Sequence, residues 1–428
     1  MDKGSEGEEA VLRIASQTYL KYWCYPEPKD EQGTGKEICD LLILFKNIAI
    51  IIEVKNYKFK GDYKRYFNKT LKKAISQISG AERKLFKSKE ELVFKHYIKG
   101  DKVFKRNDYT EIQRLVVNLS TVPLFYPAGE LTKSGSFVHI FNWFAFLKVV
   151  QELDTIPDFI QYLCKREETF KNKQLVIASG REESWTIDIN EQFLNFSSKL
   201  NPAEKAFVVI LGTELDLLAD YLQHNREFSG HLTSDKYNGI TVELDENWSD
   251  YISREQVQRK KVADKRSYFL DKFIRKEILY FDDDLRLEIA TELLSLNRFQ
   301  RRIVSQQFYS FMQKYHNQIK HDGIARRYGT IGNLTIGFFM HGQMFEIKMV
   351  MELMKIAAYG YSHFEKYESK KILIIGIDAE MMQTKFVYMD EVEEIKGEAL
   401  DNLLIDLKEL NWFNSVEWKE YYWKEYPE

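Results

Sequence analysis

Three charged side chains, Asp40, Glu53 and Lys55, interrupt two neighbouring apolar runs, residues 35–45 and 48–57. Runs of Ile, Leu and Val that are joined by a two-residue turn predict two antiparallel strands buried on both faces. An unpaired charge inside such strands costs several kcal/mol, so a compensating group is required. A divalent cation would supply that compensation.

The spacing of these charges predicts a common site. Glu53 and Lys55 are two residues apart on one strand and point to the same face, which Asp40 can reach from the neighbouring strand. Two carboxylates can hold a hard cation through oxygen, and an ammonium can orient water or offset the charge of a phosphate. The alternative is a solvent-facing Glu53–Lys55 pair at a strand end, with Asp40 capping a turn. The unbroken isoleucine run at 50–52 leaves little room for a solvated face and favours the site.

An Asp on one strand followed by Glu-x-Lys on the next resembles the PD-(D/E)xK nuclease superfamily. Residues 36–43 (Lys-Glu-Ile-Cys-Asp-Leu-Leu-Ile) and 52–57 (Ile-Glu-Val-Lys-Asn-Tyr) are most similar to its nuclease-related domain (NERD) and Mrr-like branches. Cys39 stands where the name of the superfamily has proline. The resemblance implies a restriction-endonuclease-like α/β domain and a Mg²⁺ cofactor, which Mn²⁺ could replace.

The resemblance also implies roles for individual residues. Asp40, Glu53 and the backbone carbonyl of Val54 are expected to hold the metal. Lys55 is expected to position or deprotonate the attacking water and to stabilise the charge that develops on the phosphate.

Two residues outside the strand pair are further candidates by resemblance. Residues 7–11 (Gly-Glu-Glu-Ala-Val) match the Gly-Glu-x-x-Val of NERD-type domains, in which a helical Glu faces the metal. Glu8 is therefore a candidate catalytic residue and metal ligand, with Glu9 as the alternative, although both also suit a helix N-terminus. Gln77, on the helix predicted after Glu-x-Lys, matches a Gln that often joins the active site in these branches; an ordinary helical Gln is the other interpretation.

The segment that follows the candidate site is basic, although the chain as a whole is not. The net charge of the chain is −3, yet residues 55–106 contain 17 Lys and Arg. Such a segment can neutralise phosphates, or it can be a solvated helix face with a lysine-rich loop. Aromatic residues interleaved with cations at 57–67 suit either base stacking or packing on the core. The expected nucleic-acid-binding residues are Lys58, Lys60, Lys64, Arg65, Lys72 and Lys73.

A chain of 428 residues exceeds one ordinary core and predicts two or three domains. The first is expected to run helix, mixed central sheet, helix (68–86) and strand (115–119), the last parallel to the Glu53 strand. Residues 87–107 are expected to add a helix and a loop, and His139 is expected to lie in the core. The predicted domains are 1–170 (nuclease-like), 171–265 (α/β, of unknown role) and 266–428 (mostly helical with a short sheet).

The region after the nuclease-like domain is expected to be α/β or α+β and carries no recognisable motif. Residues 285–315 predict one helix, 326–342 a hairpin and 371–377 a buried strand. The aromatic tail, 412–426, is expected to dock on the body of the protein or on another subunit. This region would select the substrate, sense a trigger, or bind a second copy or a partner protein.

Several functional classes are disfavoured by the sequence. Three isolated cysteines without CxxC spacing fit a reducing cytoplasm and argue against zinc knuckles and disulfide scaffolds. No signal peptide or membrane-spanning stretch is present, so we expect a cytoplasmic protein without a membrane partner. A complete phosphate-binding loop, a serine-hydrolase elbow and HExxH are also missing, so any ATP-driven partner would be a separate chain.

The sequence therefore predicts an Mg²⁺-dependent nuclease that cleaves nucleic acid, DNA rather than RNA, with little sequence preference. By analogy alone, its expected role is bacterial restriction or anti-phage defence. The first alternative is a catalytically inactive nucleic-acid-binding or scaffold protein with a nuclease-like fold. The second is an interaction protein whose C-terminal aromatic surface carries the main function.

Overall fold

A computed structural model of the protein shows a mixed α/β chain, as the sequence predicts. It divides into two compact units, Met1–Gln258 and Arg259–Glu428. The structure describes residues 22–30, 35–89, 91–96, 100–120, 124–178, 196, 206–234, 239–281, 283–319, 321–365, 369–414 and 419–428.

The described strands of the first unit form a six-stranded sheet, a four-stranded sheet and one separate hairpin. They are β1 Cys24–Pro26, β2 Leu41–Phe45, β3 Ile48–Lys55, β4 Leu92–His96, β5 Gly100–Phe104, β6 Glu111–Asn118, β7 Phe125–Pro127, β8 Gly129–Leu131, β9 Phe137–Asn142, β10 Lys173–Ala178, β11 Ala206–Leu211 and β12 Gly239–Glu243.

The six-stranded sheet has the order β1-β2-β3-β6-β9-β8. β2 and β3 form the predicted hairpin, with Leu41 opposite Ile52, and Lys46 adopts a left-handed backbone conformation (φ 50°) at its turn. β6 lies parallel to β3 and pairs Asn118 with Lys55, which confirms the predicted parallel strand. Every residue of β2 is buried, as continuous apolar runs predict.

Helices pack on the central strands of this sheet: α2 on β3, and α3 on β6 and β9. One π-helical segment precedes α2 (Phe67–Lys72) and another follows it (Arg83–Lys87). The continuous helical stretch confirms the helix predicted at 68–86. The helices up to residue 264 are α1 Tyr63–Tyr66, α2 Lys73–Glu82, α3 Trp143–Glu152, α4 Ile156–Phe170, α5 Glu214–Gln223, α6 Gly230–Thr233, α7 Asn247–Ser253 and α8 Glu255–Asp264.

The second unit is built on a four-stranded sheet of order β13-β14-β15-β16. β13 and β14 form the predicted hairpin, and β14 runs parallel to β15 across a connection that contains α12. The elements are β13 Ile324–Ile331, β14 Leu334–His341, β15 Lys371–Asp378, β16 Thr384–Met389, α9 Tyr268–Phe273, α10 Asp284–Leu294, α11 Arg298–Tyr315, α12 Ile347–Phe364 and α13 Glu398–Glu409.

The C-terminal tail docks on this unit, as the sequence predicts. Trp412 is buried in the core, with 7% of its surface exposed. The guanidinium of Arg302 on α11 donates hydrogen bonds to the carbonyl oxygens of Lys424 (2.8 Å) and Glu425 (2.9 Å). A cation buried on the inner side of a helix thus holds the end of the chain.

Other sequence predictions need correction. Between residues 87 and 107, the described residues include the paired strands β4 and β5 rather than the predicted helix, because Leu92, Phe94 and His96 alternate toward the core. The single helix predicted at 285–315 is two helices, because Asn297 caps the start of α11 with a reciprocal bond to Gln300. Within the first unit, β7 pairs with β10, and the predicted domain boundary at residue 170 stays a prediction.

Candidate functional site

The three charges singled out in the sequence meet at the end of the β2–β3 hairpin. Leu41 pairs with Ile52, so Asp40, immediately before β2, lies beside Glu53. Glu53 and Lys55 share one face of β3, as their spacing predicts.

The Lys55 ammonium is the centre of this arrangement. Its Nζ lies 2.7 Å from Glu53 Oε2, 3.1 Å from the Val54 carbonyl oxygen and 3.7 Å from Asp40 Oδ2. Asp40 Oδ2 also accepts a 2.5 Å hydrogen bond from the backbone N–H of Val54, which fixes the carboxylate against β3. The oxygen atoms that the sequence predicts as metal ligands on these residues therefore surround one cationic group.

A third carboxyl group joins this site. The side chain of Glu37 hydrogen-bonds to Asp40, and partial burial together with that neighbour raises the pKa of Glu37 to about 7. We refer to Glu37, Asp40, Glu53 and Lys55 as the carboxylate cluster. The sequence analysis did not assign Glu37 a role, although it lies three residues before Asp40 within the quoted motif. The three-residue spacing of Glu37 and Asp40 was the sequence feature that could have indicated their contact. The backbone bends at Asp40, however, so the two residues do not share a helix or strand whose periodicity would predict it.

The surroundings of the carboxylate cluster disfavour the ionised form of its glutamates. The Glu53 side chain is only 2% exposed, and burial, followed by the charge of Asp40, raises the pKa of Glu53 to about 7 despite the opposing Lys55 ammonium. Three carboxyl groups share one cation. An added cation would therefore be bound favourably, provided that it accepts oxygen ligands.

The fit of a metal ion depends on the position of Lys55. Among the described residues, no group of three or more His, Cys, Asp or Glu side chains is arranged to hold a metal ion. The donor chemistry nevertheless suits Mg²⁺, because Asp40, Glu53 and the Val54 carbonyl offer only oxygen. These oxygens now face the Lys55 ammonium, so a divalent ion would require the Nζ atom to move away from between them.

Two predicted site residues are not brought into the carboxylate cluster by the described structure. Gln77 lies on α2 and is exposed, and no hydrogen bond joins it to the carboxylate cluster among the residues the structure describes. Glu8, with its alternative Glu9, lies outside the described residues. Their roles stay predictions.

The segment after Lys55 is held by two polar residues at and just after the end of β6, Asn118 and Ser120. The Asn118 side chain accepts a hydrogen bond from the Tyr57 N–H (3.3 Å) and donates one to the Tyr57 carbonyl (3.4 Å). Ser120 Oγ donates to Asn56 Oδ1 at 2.9 Å. Because Asn118 pairs with Lys55 across the parallel strands, these bonds fix the point where the chain leaves the site. The polar residues that end the strand 115–119 were the available signal.

The basic residues beyond this point are exposed, but the aromatic residues among them are not a free stacking surface. Tyr63 and Tyr66 are buried, and Phe59 packs 4.8 Å from the Tyr63 ring. Of the two interpretations of residues 57–67, packing on the core is the one the structure supports. The exposed cations are Lys58, Lys60, Lys64, Arg65, Lys72 and Lys73.

A second polar cluster in the first unit is structural. His139 is fully buried, as predicted; its Nε2 lies 3.1 Å from Gln113 Oε1 and its Nδ1 3.2 Å from the Arg166 guanidinium. Arg166 in turn donates to Glu214 at 2.9 Å, and both side chains are 0% exposed. Burial, and then the charge of Arg166, lowers the pKa of His139 well below its usual value. A neutral, enclosed imidazole bonded on both sides serves packing between elements rather than catalysis.

Comparisons with known proteins give no match from which the function of the site could be inferred. No protein-family model matches the chain, and no curated protein or solved structure matches it significantly. No helix in the described ranges is long and apolar enough to cross a membrane. The carboxylate cluster is thus the principal lead to function.

Proposed function

We propose that the protein is a metal-dependent phosphodiesterase that cleaves nucleic acid at the carboxylate cluster. One observation carries the proposal: oxygens of Asp40, Glu53 and Val54 converge on a single cationic group at the end of β3. A structural ion pair needs one carboxylate for one ammonium, whereas this site has an excess of acid. Such an excess suits a site that binds a cation.

Each residue has a distinct role in the proposed reaction. Asp40, Glu53 and the Val54 carbonyl would hold Mg²⁺, which supplies Lewis-acid stabilisation of the phosphate. Lys55 would donate to a non-bridging phosphate oxygen and orient the attacking water. The water oxygen forms a bond to phosphorus and gives up a proton to solvent, the ester bond to the leaving oxygen breaks, and the leaving oxygen takes up a proton from solvent. Glu37, hydrogen-bonded to Asp40, would position that carboxylate.

The surroundings of the carboxylate cluster support a nucleic-acid substrate and a restriction-endonuclease-like domain. The hairpin β2–β3, the helix α2 and the parallel strand β6 follow one another in the order that the resemblance implies. Exposed lysines between β3 and α2 suit a phosphate backbone, which they would grip without reading bases. We therefore propose DNA as the preferred substrate, with little sequence preference, and retain restriction or anti-phage defence as the expected role.

One observation favours a second candidate, an inactive nucleic-acid-binding module. Lys55 Nζ already pairs with Glu53 at 2.7 Å, and the described side chains show no ready metal geometry. If this ion pair persists in solution, the fold would bind nucleic acid but not cleave it.

A cleavage assay separates the two candidates. Plasmid, linear duplex, single-stranded DNA and RNA are incubated with the wild type, Lys55→Ala and Glu53→Gln in Mg²⁺, Mn²⁺ or EDTA. Lys95→Ala, at an exposed lysine on β4, is the matched control. We expect metal-dependent cleavage by the wild type and the control, and a loss of about 10²-fold or more in both cluster variants. Unchanged cleavage by Glu53→Gln, or binding without cleavage by the wild type, would refute the nuclease proposal.

A further inference from the structure

The helix α11 of the second unit contacts cations and their partners on its buried side and borders a basic surface on its exposed side. On its buried side, Arg298 and Arg301 both donate to Asp271 at 2.6 Å, and Arg302 pairs with Asp264 at 3.0 Å. These arginines are fully engaged within the protein. The exposed side of α11 lines two cavities, described next.

The two cavities have volumes of about 1080 Å³ and 680 Å³. Gln306 and Ser310 of α11 line both, so the cavities adjoin along the helix. The larger is also bounded by β13 and the C-terminal tail, and the smaller by residues 265–272. We call the two together the α11 groove.

The α11 groove is strongly basic. Within the described residues, six cations and one carboxylate, Glu420, line the groove. Arg327 donates to the Ser310 hydroxyl at 3.0 Å, so its guanidinium is positioned without being neutralised. Five of the cations form no ion pair with a described carboxylate, namely Lys265, Arg266, Lys272, Lys314 and Arg327, and the sixth is Lys419.

Aromatic side chains line the groove together with these cations. Tyr309 is 48% exposed and rests on Phe269, with ring centroids 4.8 Å apart. Tyr421 and Tyr422 of the tail are 64% and 91% exposed on the other side. Exposed rings on a fixed support cost little entropy when a planar group stacks on them.

We propose that the α11 groove binds single-stranded nucleic acid. The cations would neutralise phosphates, and the exposed rings would stack on unpaired bases. A strand fits better than a free nucleotide, because the cations and rings are spread over both cavities. A single strand fits better than a duplex, since the bases of a duplex are stacked and cannot reach the rings. This inference goes beyond the proposed cleavage and does not depend on it.

The test measures binding of fluorescein-labelled oligonucleotides to the full chain in EDTA, so that no cleavage occurs. The strands are a 20-mer of dT, its RNA counterpart and a 20-base-pair duplex, with free AMP as a competitor. The groove variants are Lys265→Glu/Lys272→Glu and Tyr309→Ala, all at exposed positions. Lys408→Glu, at an exposed lysine on α13 that lines neither cavity, is the matched control.

We expect the wild type to prefer the single strands to the duplex. The double charge reversal should lower single-strand affinity about tenfold or more and flatten its salt dependence, whereas Lys408→Glu should bind like the wild type. Tyr309→Ala should lose about fivefold for single strands and nothing for the duplex. Wild-type-like binding by the groove variants, or equal loss for strand and duplex, would overturn the proposal. Competition by AMP at the concentration at which the strand binds would show a nucleotide site instead.

Discussion

In the first unit, a nearly buried Glu53 shares the single ammonium of Lys55 with other carboxyl groups. In the second unit, Asp271 lies alone between two guanidinium groups, those of Arg298 and Arg301. Both arrangements bury carboxylates beside cations, yet one has too little positive charge and the other has enough. The excess of carboxyl groups in the first unit supports the proposed cation site, whereas the balanced network of the second unit holds helices together.

The surroundings of the two clusters agree with this distinction. Lys55 is 15% exposed and Asp40 28%, so solvent or a ligand can reach the carboxylate cluster. Asp271 is 0% exposed and Arg301 1%, and Arg301 also donates to two backbone carbonyls, at Leu294 and Leu296. A ligand could approach the first cluster but not the second.

The largest expected effect concerns Asp271. Asp271→Ala leaves two buried guanidinium groups without their carboxylate, so we expect a loss of about 3–5 kcal/mol in the free energy of unfolding of the second unit. Urea unfolding followed by circular dichroism measures it. The matched variant is Asp40→Ala, which removes one hydrogen bond but also relieves repulsion, with an expected cost below about 1 kcal/mol. Equal costs for both variants would remove the distinction between the clusters.

The second effect is the pH dependence of stability without divalent metal. The pKa of Glu53 is raised to about 7 in the folded protein, above its ordinary value of 4.5. Between these values the folded state holds more protons than the unfolded state, so stability falls as pH rises from about 4.5 to 7. We expect the melting temperature of the first unit to drop by about 5–10 °C over that range. Adding Mg²⁺ above pH 7 should restore it.

Two controls test this pH prediction. Glu53→Gln should weaken the pH dependence of the first unit, leaving the part due to Glu37, and abolish its response to Mg²⁺. The second unit supplies the opposite sign: backbone N–H bonds from Glu380 and Met381 lower the pKa of Asp378, so its contribution is lost only as pH falls below about 4. A wild-type melting temperature that is independent of pH between 5 and 8 would contradict the prediction.

Much of the fold was predictable because buried strands and helices carry apolar residues in runs or at regular spacing. The hairpin β2–β3 and the parallel strand β6 were predicted from apolar runs, and their pairing brought Asp40 to Glu53 and Lys55. In contrast, the hairpin β4–β5 was missed because its second strand is largely exposed and rich in charge. An exposed strand keeps little hydrophobic alternation, so sequence patterns favour loop or helix there.

Charge clusters formed across distant elements were harder to predict. The α11 groove draws on residues from 265 to 423, and no local spacing connects them. From sequence alone, the buried arginines of α11 could not be distinguished from exposed cations, because their partner Asp271 lies on another element. Glu37 escaped notice for a related reason: its contact with Asp40 depends on a bend and not on a periodic element.

The smallest expected effect concerns two exposed lysines of the first unit that form no ion pair in the described structure. Lys64 and Lys72 are exposed near the carboxylate cluster, and no ion pair holds them in the described structure. If they contact phosphates, Lys64→Ala and Lys72→Ala should each weaken duplex binding by a few fold and equally across sequences. Each should also reduce the slope of log affinity against log salt by about 0.9. The measurement is duplex binding in EDTA from 50 to 200 mM salt, with Lys95→Ala as the control.

The two lysine variants of the first unit can also be compared with Tyr309→Ala of the second unit. A loss that is the same for duplex and single strand would indicate backbone contacts alone, as expected beside the proposed cleavage site if it reads no bases. The Tyr309→Ala loss, by contrast, should be confined to single strands. If Lys64→Ala instead selected against single strands, the aromatic residues at 57–67 would have to leave the core to stack on bases. Because Tyr63 and Tyr66 are buried there, we expect the loss to be uniform.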